Sequence, residues 1–204
     1  MNRSTDSSDP VLPEWEVSAW LNTSAPITLA SLRGRVVLLH TFQMLCPGCV
    51  AHGLPQAERV RQTFLPSELA VVGLHTVFEH HEVMTVDALS AFIHEYRWTF
   101  PIGVDAPGGR GGPSRTMTRY GLRGTPSCLV LDKQGRVQLR HFGQLEDLWL
   151  GALLGRLIAS PDKADPVHAA GDQQPAPRSE PSVCQPAGCR TQTGGPGMPT
   201  RRSP

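Results

Sequence analysis

Two cysteines three residues apart, Cys46 and Cys49 in the stretch LCPGCVAH, are the residues of this chain best placed to do chemistry. A Cys-x-x-Cys pair can ligate a metal, exchange disulfides, or reduce peroxide with one cysteine helping the other. The pair follows an apolar run, RVVLLHTF, and precedes a segment that reads as a helix. A cysteine at a strand-to-helix junction meets unpaired backbone N–H groups and the positive end of the helix dipole, and both favour its thiolate. Cys46 therefore reads as the exposed nucleophile, and Cys49, one turn further along, as the cysteine that resolves. Pro47 suits the first helical turn, where an N–H would have no intrahelical partner.

Other reactive residue types lie within reach of that pair. His40, six residues before Cys46, is set in the apolar run. If it lies beneath the dithiol, its near-neutral intrinsic pKa suits transfer of the Cys49 proton; a core histidine satisfied by a backbone carbonyl is the alternative. Glu79, His80, His81 and Glu82 follow a second apolar run, LAVVGLHTV. Two parallel neighbouring strands would bring this cluster to the same sheet edge as Cys46, either as a metal-binding or thiol-tuning group or as a solvated polar loop. Cys128, in an apolar stretch, reads as a small buried hydrophobe. Cys184 and Cys189, in CQPAGC, read as incidental thiols, although a flexible dithiol there could exchange with Cys46 and Cys49.

The elements that must position these groups alternate along the chain. Residues 35–42 read as a buried strand followed by a helix over 47–64, and 69–77 as the next strand. Residues 85–98 carry apolar residues at helical spacing behind a Thr85 cap, and 100–104 make a short strand. After a Gly-rich loop comes a short helix over 114–120. SCLVLD and RVQLRHF flank the turn KQG as a hairpin, and 145–158 close the domain as an amphipathic helix. The order βαβ, α, ββα predicts an α/β fold, a mixed sheet with helices on both faces.

The whole chain sets the remaining bounds. Its 204 residues, 39% hydrophobic, suffice for one domain with a sizeable core. The expected division is a loose N-terminus (1–12), a folded domain (13–160) and a disordered Pro/Gly-rich tail (161–204) without an aromatic residue. A net charge of +1 with scattered arginines offers no footprint for nucleic acid. The polar N-terminus and the absence of a long apolar run lead to the expectation of a cytoplasmic protein without membrane contact. In a reducing compartment, five cysteines argue for reactive or buried thiols over a structural disulfide framework.

Four stretches, LRGRVVLLHTFQMLCPGC, FPIGVD, YGLRGTPSCLVLDKQGRV and the closing helix, together resemble the thioredoxin-like superfamily. The likeness is to its TlpA/ResA-like thiol–disulfide oxidoreductases, which overlap the peroxiredoxin-type redoxins, and it spans about residues 13–158. It implies a dithiol at the C-terminal edge of a central sheet, with a cis-proline at Pro126 beside it. Thr125 and Pro126 would then present an extended substrate chain to Cys46, with Leu45 and Pro47 flanking the nucleophile. A proline opening a strand is tolerated only at an edge or irregularity, which fits GTPS. Leu45 stands where relatives commonly have Trp, and His40 where thioredoxins carry a buried Asp. The implied partners are a disulfide-containing protein or small molecule and an upstream thiol reductant, with no cofactor and a monomeric chain. Two further readings stay open. A peroxidase would use Cys49 as peroxidatic cysteine with Arg123 as its activating arginine. A copper-handling relative would draw on His80, His81 and His141.

Overall fold

The run Val36–Phe42 is buried at every residue, as expected of a strand covered on both faces, and it forms β2, the strand from which the dithiol hangs. The computed structural model describes residues 11–161. The strands are β1 (Val17–Leu21), β2, β3 (Leu69–His75), β4 (Ile102–Asp105), β5 (Ser127–Leu131) and β6 (Val137–Phe142). The α-helices are α1 (Leu54–Thr63), α2 (Val86–Tyr96), α3 (Arg115–Arg119) and α4 (Asp147–Ala159). The strand order is β1-β4-β3-β2-β5-β6. β3 runs parallel to β2, from Val36 opposite Leu69 to Phe42 opposite His75, as the sequence predicts. β5 runs antiparallel on the other side of β2 and sets His40 opposite Cys128.

Period-two alternation sends the side chains of β2 to two separate cores. Leu38 and Phe42 pack with Leu54, Leu89, Val130 and Leu154 on the face that carries α1, α2 and α4. Val37 and Leu39 pack with Leu74, Leu129, Trp15 and Tyr120 on the other. Each such side chain contributes about 1.5–3 kcal/mol on full burial. Thr85 caps α2 by accepting the Ala88 N–H at 3.2 Å, and Arg97 closes that helix in the left-handed conformation.

The structure adds two features to the elements read from sequence. β1 pairs antiparallel with β4 at one edge of the sheet. The helix after Cys46 is not uniform, because Cys49–Gly53 form a π-helical turn before α1 begins. Val11 bridges to Arg136 and Leu12 is buried, so both belong to the folded body. Residues 1–10 and 162–204, which hold the expected loose N-terminus, the expected tail and both Cys184 and Cys189, lie outside the described residues. Among the described residues no helix is long and apolar enough to cross a membrane.

Candidate active site

Cys46 and Cys49 are joined as a disulfide, their Cα atoms 5.2 Å apart. The strand ends at Phe42, a tight turn closed by the Cys46 N–H donating to the Gln43 carbonyl follows, and the helix starts. Cys46 caps it. Its carbonyl accepts the N–H groups of Cys49 and Val50 at 3.0 and 3.1 Å, and its sulfur accepts the Cys49 N–H at 3.2 Å. The Cys49 N–H, with the helix dipole, favours negative charge on the Cys46 sulfur once the disulfide is opened. Exposure separates the two cysteines, since Cys46 is partly exposed and Cys49 is wholly buried.

The Thr125–Pro126 peptide bond is cis, and the Thr125 carbonyl oxygen lies 3.5 Å from the Cys46 sulfur. Pro126 packs against the dithiol helix: a Cβ on Gly48 would stand 3.4 Å from its ring, and one on Gly53 would stand 3.3 Å from it. Gly143, just after β6, donates its N–H to the Pro126 carbonyl at 2.8 Å and so fixes this segment from behind. Leu45 and Pro47 are exposed beside Cys46. Of the four residues expected to meet a substrate, Leu45 and Pro47 flank Cys46 in the chain, and Thr125 reaches the Cys46 sulfur from the other side of the turn.

His40 lies beneath this surface. It is buried, its Nε2 has no hydrogen-bond partner among the described residues, and burial pushes its pKa down to about 4. The imidazole packs against Gly53, one helical turn on from Cys49, so closely that any Cβ there would fall on the ring. A cavity of about 40 Å³ joins His40, Gly53, Gln56 and Cys128 to His52, Arg59 and Asp147. That volume exceeds the roughly 10–15 Å³ one water requires. Gln56 donates to the Leu145 carbonyl at 2.9 Å and to Asp147 at 2.7 Å, and Arg59 pairs with Asp147 at 2.9 Å. Cys128 is buried beside His40, and burial raises its thiol pKa to about 12.

The loop after β3 reaches the dithiol edge as the parallel pairing predicts, and Gln43 ties it there. The Gln43 side chain donates to Glu79 at 3.3 Å and accepts the Phe78 N–H at 3.2 Å. Ser114 exchanges two bonds of 2.9 Å with the Val77 backbone. Glu79, His80, His81 and Glu82 are all exposed, as is Arg123. His141 meets the Gln144 carbonyl at 2.9 Å. Among the described residues no group of three or more His, Cys, Asp or Glu side chains could hold a metal ion.

Gln43, Gly53, Gln56, Arg59 and Asp147 escape sequence reasoning. Gly53 carried a faint signal, a glycine inside a helical segment one turn past a reactive cysteine. The sequence also gave no sign that His75, at the end of β3, would be fully buried with both ring nitrogens unpartnered and its pKa pushed down to about 4 by burial.

Comparison with known proteins places this geometry. The fold superimposes on the crystal structure of a thioredoxin-like superfamily protein with a TM-score of 0.71 and 52% identity, covering 73% of this chain and 96% of that one. The chain belongs to the thioredoxin-like superfamily. A second thioredoxin-like relative, described as a thiol-disulfide isomerase from Corynebacterium glutamicum, is 46% identical with a TM-score of 0.71, over 76% of this chain and 99% of that one. Protein DipZ of Mycobacterium tuberculosis is 29% identical over 130 residues, which make up 63% of this chain and 18% of that protein. The chain thus spans less than a fifth of the length of the curated relatives it matches. No protein-family model matches it. Its thioredoxin-like fold is of the thiol–disulfide oxidoreductase type.

Proposed function

We propose that this protein is a thiol–disulfide oxidoreductase that reduces disulfides with Cys46 as nucleophile and Cys49 as resolving cysteine. The observation that carries this reading is the asymmetry of the pair: Cys46 caps the helix at the surface, next to the Thr125 carbonyl, while Cys49 is sealed beneath it. In the reduced protein the Cys46 thiolate attacks one sulfur of a substrate disulfide. A mixed disulfide forms and the other substrate sulfur leaves as a thiolate. Cys49 then gives up its proton and attacks the Cys46 sulfur. The Cys46–Cys49 disulfide forms and the second substrate thiol leaves. A dithiol reductant reopens the pair for the next cycle.

Leu45, Pro47, Thr125 and Pro126 form the surface on which the substrate chain lies, and the Thr125 backbone is the edge it pairs with. His40 holds the position of a proton acceptor for Cys49. Its neutral ring has a nitrogen without a partner among the described residues, it packs against Gly53, one helical turn past Cys49, and the small cavity beside it is lined onward by Gln56 and Asp147. The likeness to a protein described as a thiol-disulfide isomerase supports the same reaction class.

Separating the cysteines tests the reading. Cys49→Ser is expected to accumulate a mixed disulfide through Cys46 when treated with a disulfide substrate, and Cys46→Ser to form none, as read by mass spectrometry. A peroxidase would exchange the roles, because Cys49 would be the cysteine that peroxide oxidises to a sulfenic acid. Rapid sulfenylation of Cys49 in Cys46→Ser, with no disulfide trapped at Cys46 in the other variant, would replace the proposed function with that one.

A further inference from the structure

At the end of the sheet opposite the dithiol, the ladder between β3 and β4 stops early. Its lowest bond is donated by the Gly73 N–H to the Pro101 carbonyl at 2.9 Å, and the pairing register begins at Gly73. On the β2 side, Val36 donates to the Glu68 carbonyl and Thr76 to that of Phe42, so the even-numbered residues of β3 face β2 and the odd-numbered ones face β4. Val71 therefore points its N–H and C=O to the β4 side, below the last rung. Pro101 has no N–H to offer that carbonyl. The segment before it is drawn away by Asn22, whose side-chain amide donates to the carbonyls of Trp98 and Phe100 at 2.7 and 3.1 Å. Among the described residues, one residue of strand edge is left without a strand beside it.

That edge lines a pocket of about 390 Å³, within the roughly 300–1,000 Å³ typical of ligand sites. Ile27, Leu32, Leu69 and Phe100 give it apolar walls. Two guanidinium groups reach it, and their situations differ. Arg61 is neutralised by Glu58 at 3.0 Å. Arg35 has only two carbonyl contacts, Pro66 at 3.3 Å and Ser31 at 3.4 Å, and no carboxylate among the described residues. The pocket thus offers a backbone donor and acceptor spaced for one extended residue, an apolar recess, and a positive charge without a negative partner.

We infer that this pocket captures the carboxy-terminal residue of an extended apolar peptide. The peptide's last residue pairs antiparallel with Val71, its N–H donating to the Val71 carbonyl and one carboxylate oxygen accepting the Val71 N–H as one added rung of sheet; its apolar side chain enters the recess, and its other carboxylate oxygen meets Arg35. A plain aliphatic acid would leave the Val71 carbonyl unmatched, and an interior stretch of peptide would leave Arg35 unmatched. Only a chain end satisfies all three features at once.

The probe is the tripeptide acetyl-Ala-Val-Leu, with a free carboxylate or as its carboxamide, titrated into the isotope-labelled full chain and followed by amide NMR shifts. The acid is expected to shift Ala70, Val71 and Val72 saturably while Cys46 and Cys49 stay in place. The carboxamide, and the acid on Arg35→Gln, are expected to bind about tenfold more weakly or worse, as the loss of a charge-assisted bond requires. Arg35→Lys is expected to restore part of the affinity. Equal binding of acid and amide would overturn the inference, as would the absence of a saturable shift at Val71 at millimolar peptide, or shifts confined to the dithiol edge. The comparison of the two peptides needs no variant, so a misfolded Arg35→Gln would not shield the inference.

Discussion

His40 and His75 stand on neighbouring strands, point to the same face of the sheet, and are pushed down to about 4 by the same cause, burial. Their surroundings differ. His75 packs against the Phe42 ring, centroids 5.4 Å apart, with both nitrogens unpartnered. His40 faces the one helix position where a glycine leaves room for its ring, and it borders a cavity with polar groups that continue toward the surface. A depressed pKa alone does not separate a packing histidine from a working one. A path for the proton does.

Acid is expected to have the largest effect and to act on both histidines alike. In the unfolded chain each takes up a proton near pH 6.5, whereas in the folded protein each stays neutral down to about pH 4. Between those limits the unfolded state binds more protons, so stability is complete above about pH 6.5 and falls as pH drops toward 4. The expected loss is about 3 kcal/mol for each histidine. Denaturant titrations across this range on the wild type and on His75→Phe measure it. The variant should lose the smaller amount, and equal losses would mean that His75 is not neutral in the fold.

The two sites should part company in the exchange reaction. His40→Asn is expected to slow resolution of the mixed disulfide by up to about 10²-fold and to flatten the pH–rate profile, the low end of general acid–base effects. His75→Phe should leave both unchanged. Stopped-flow measurement of the resolving step compares them directly, and an unaltered profile in His40→Asn would reduce His40 to packing. Glycine replacements should have the smallest effects, and that at Gly53 is the larger. Its replacement by Ala forces a methyl onto the His40 ring, at an expected cost of about 1–3 kcal/mol in equilibrium unfolding. Gly155→Ala, in α4 with open space around it, should instead stabilise by a few tenths to about 1 kcal/mol.

Much of the site was legible because it is local. An apolar strand, a Cys-x-x-Cys junction and a proline opening a strand are contiguous signals; they located Cys46 and Cys49, and the family resemblance they carry implied Thr125 and Pro126 beside Cys46. β1 was missed because it is a short edge strand in which every residue retains some exposure, so its sequence lacks a strong period-two contrast. The π-helical turn at Cys49–Gly53 has no compositional signature, and with exposed residues before it and within it the segment holds too few apolar positions for a one-residue phase slip to show. His75 went unnoticed inside an apolar run while the more conspicuous Glu79–Glu82 cluster, which the fold leaves in solvent, drew attention. The role of Gln43 in anchoring that cluster depends on contacts 35 and 36 residues away in the chain, which no local pattern announces.

The strand order has a consequence for breathing. β2 is flanked on both sides, by β3 and β5, while β1 and β6 lie at the sheet margins. Fluctuations that open a protein locally begin at such margins, where few backbone bonds must break together, and reach a central strand only near global unfolding. The nucleophile is therefore suspended from the slowest-exchanging part of the molecule. Fraying of β1 would leave both the Cys46–Cys49 turn and the Pro126 segment in place, and thiol exchange would continue in molecules whose outer strand is momentarily undone.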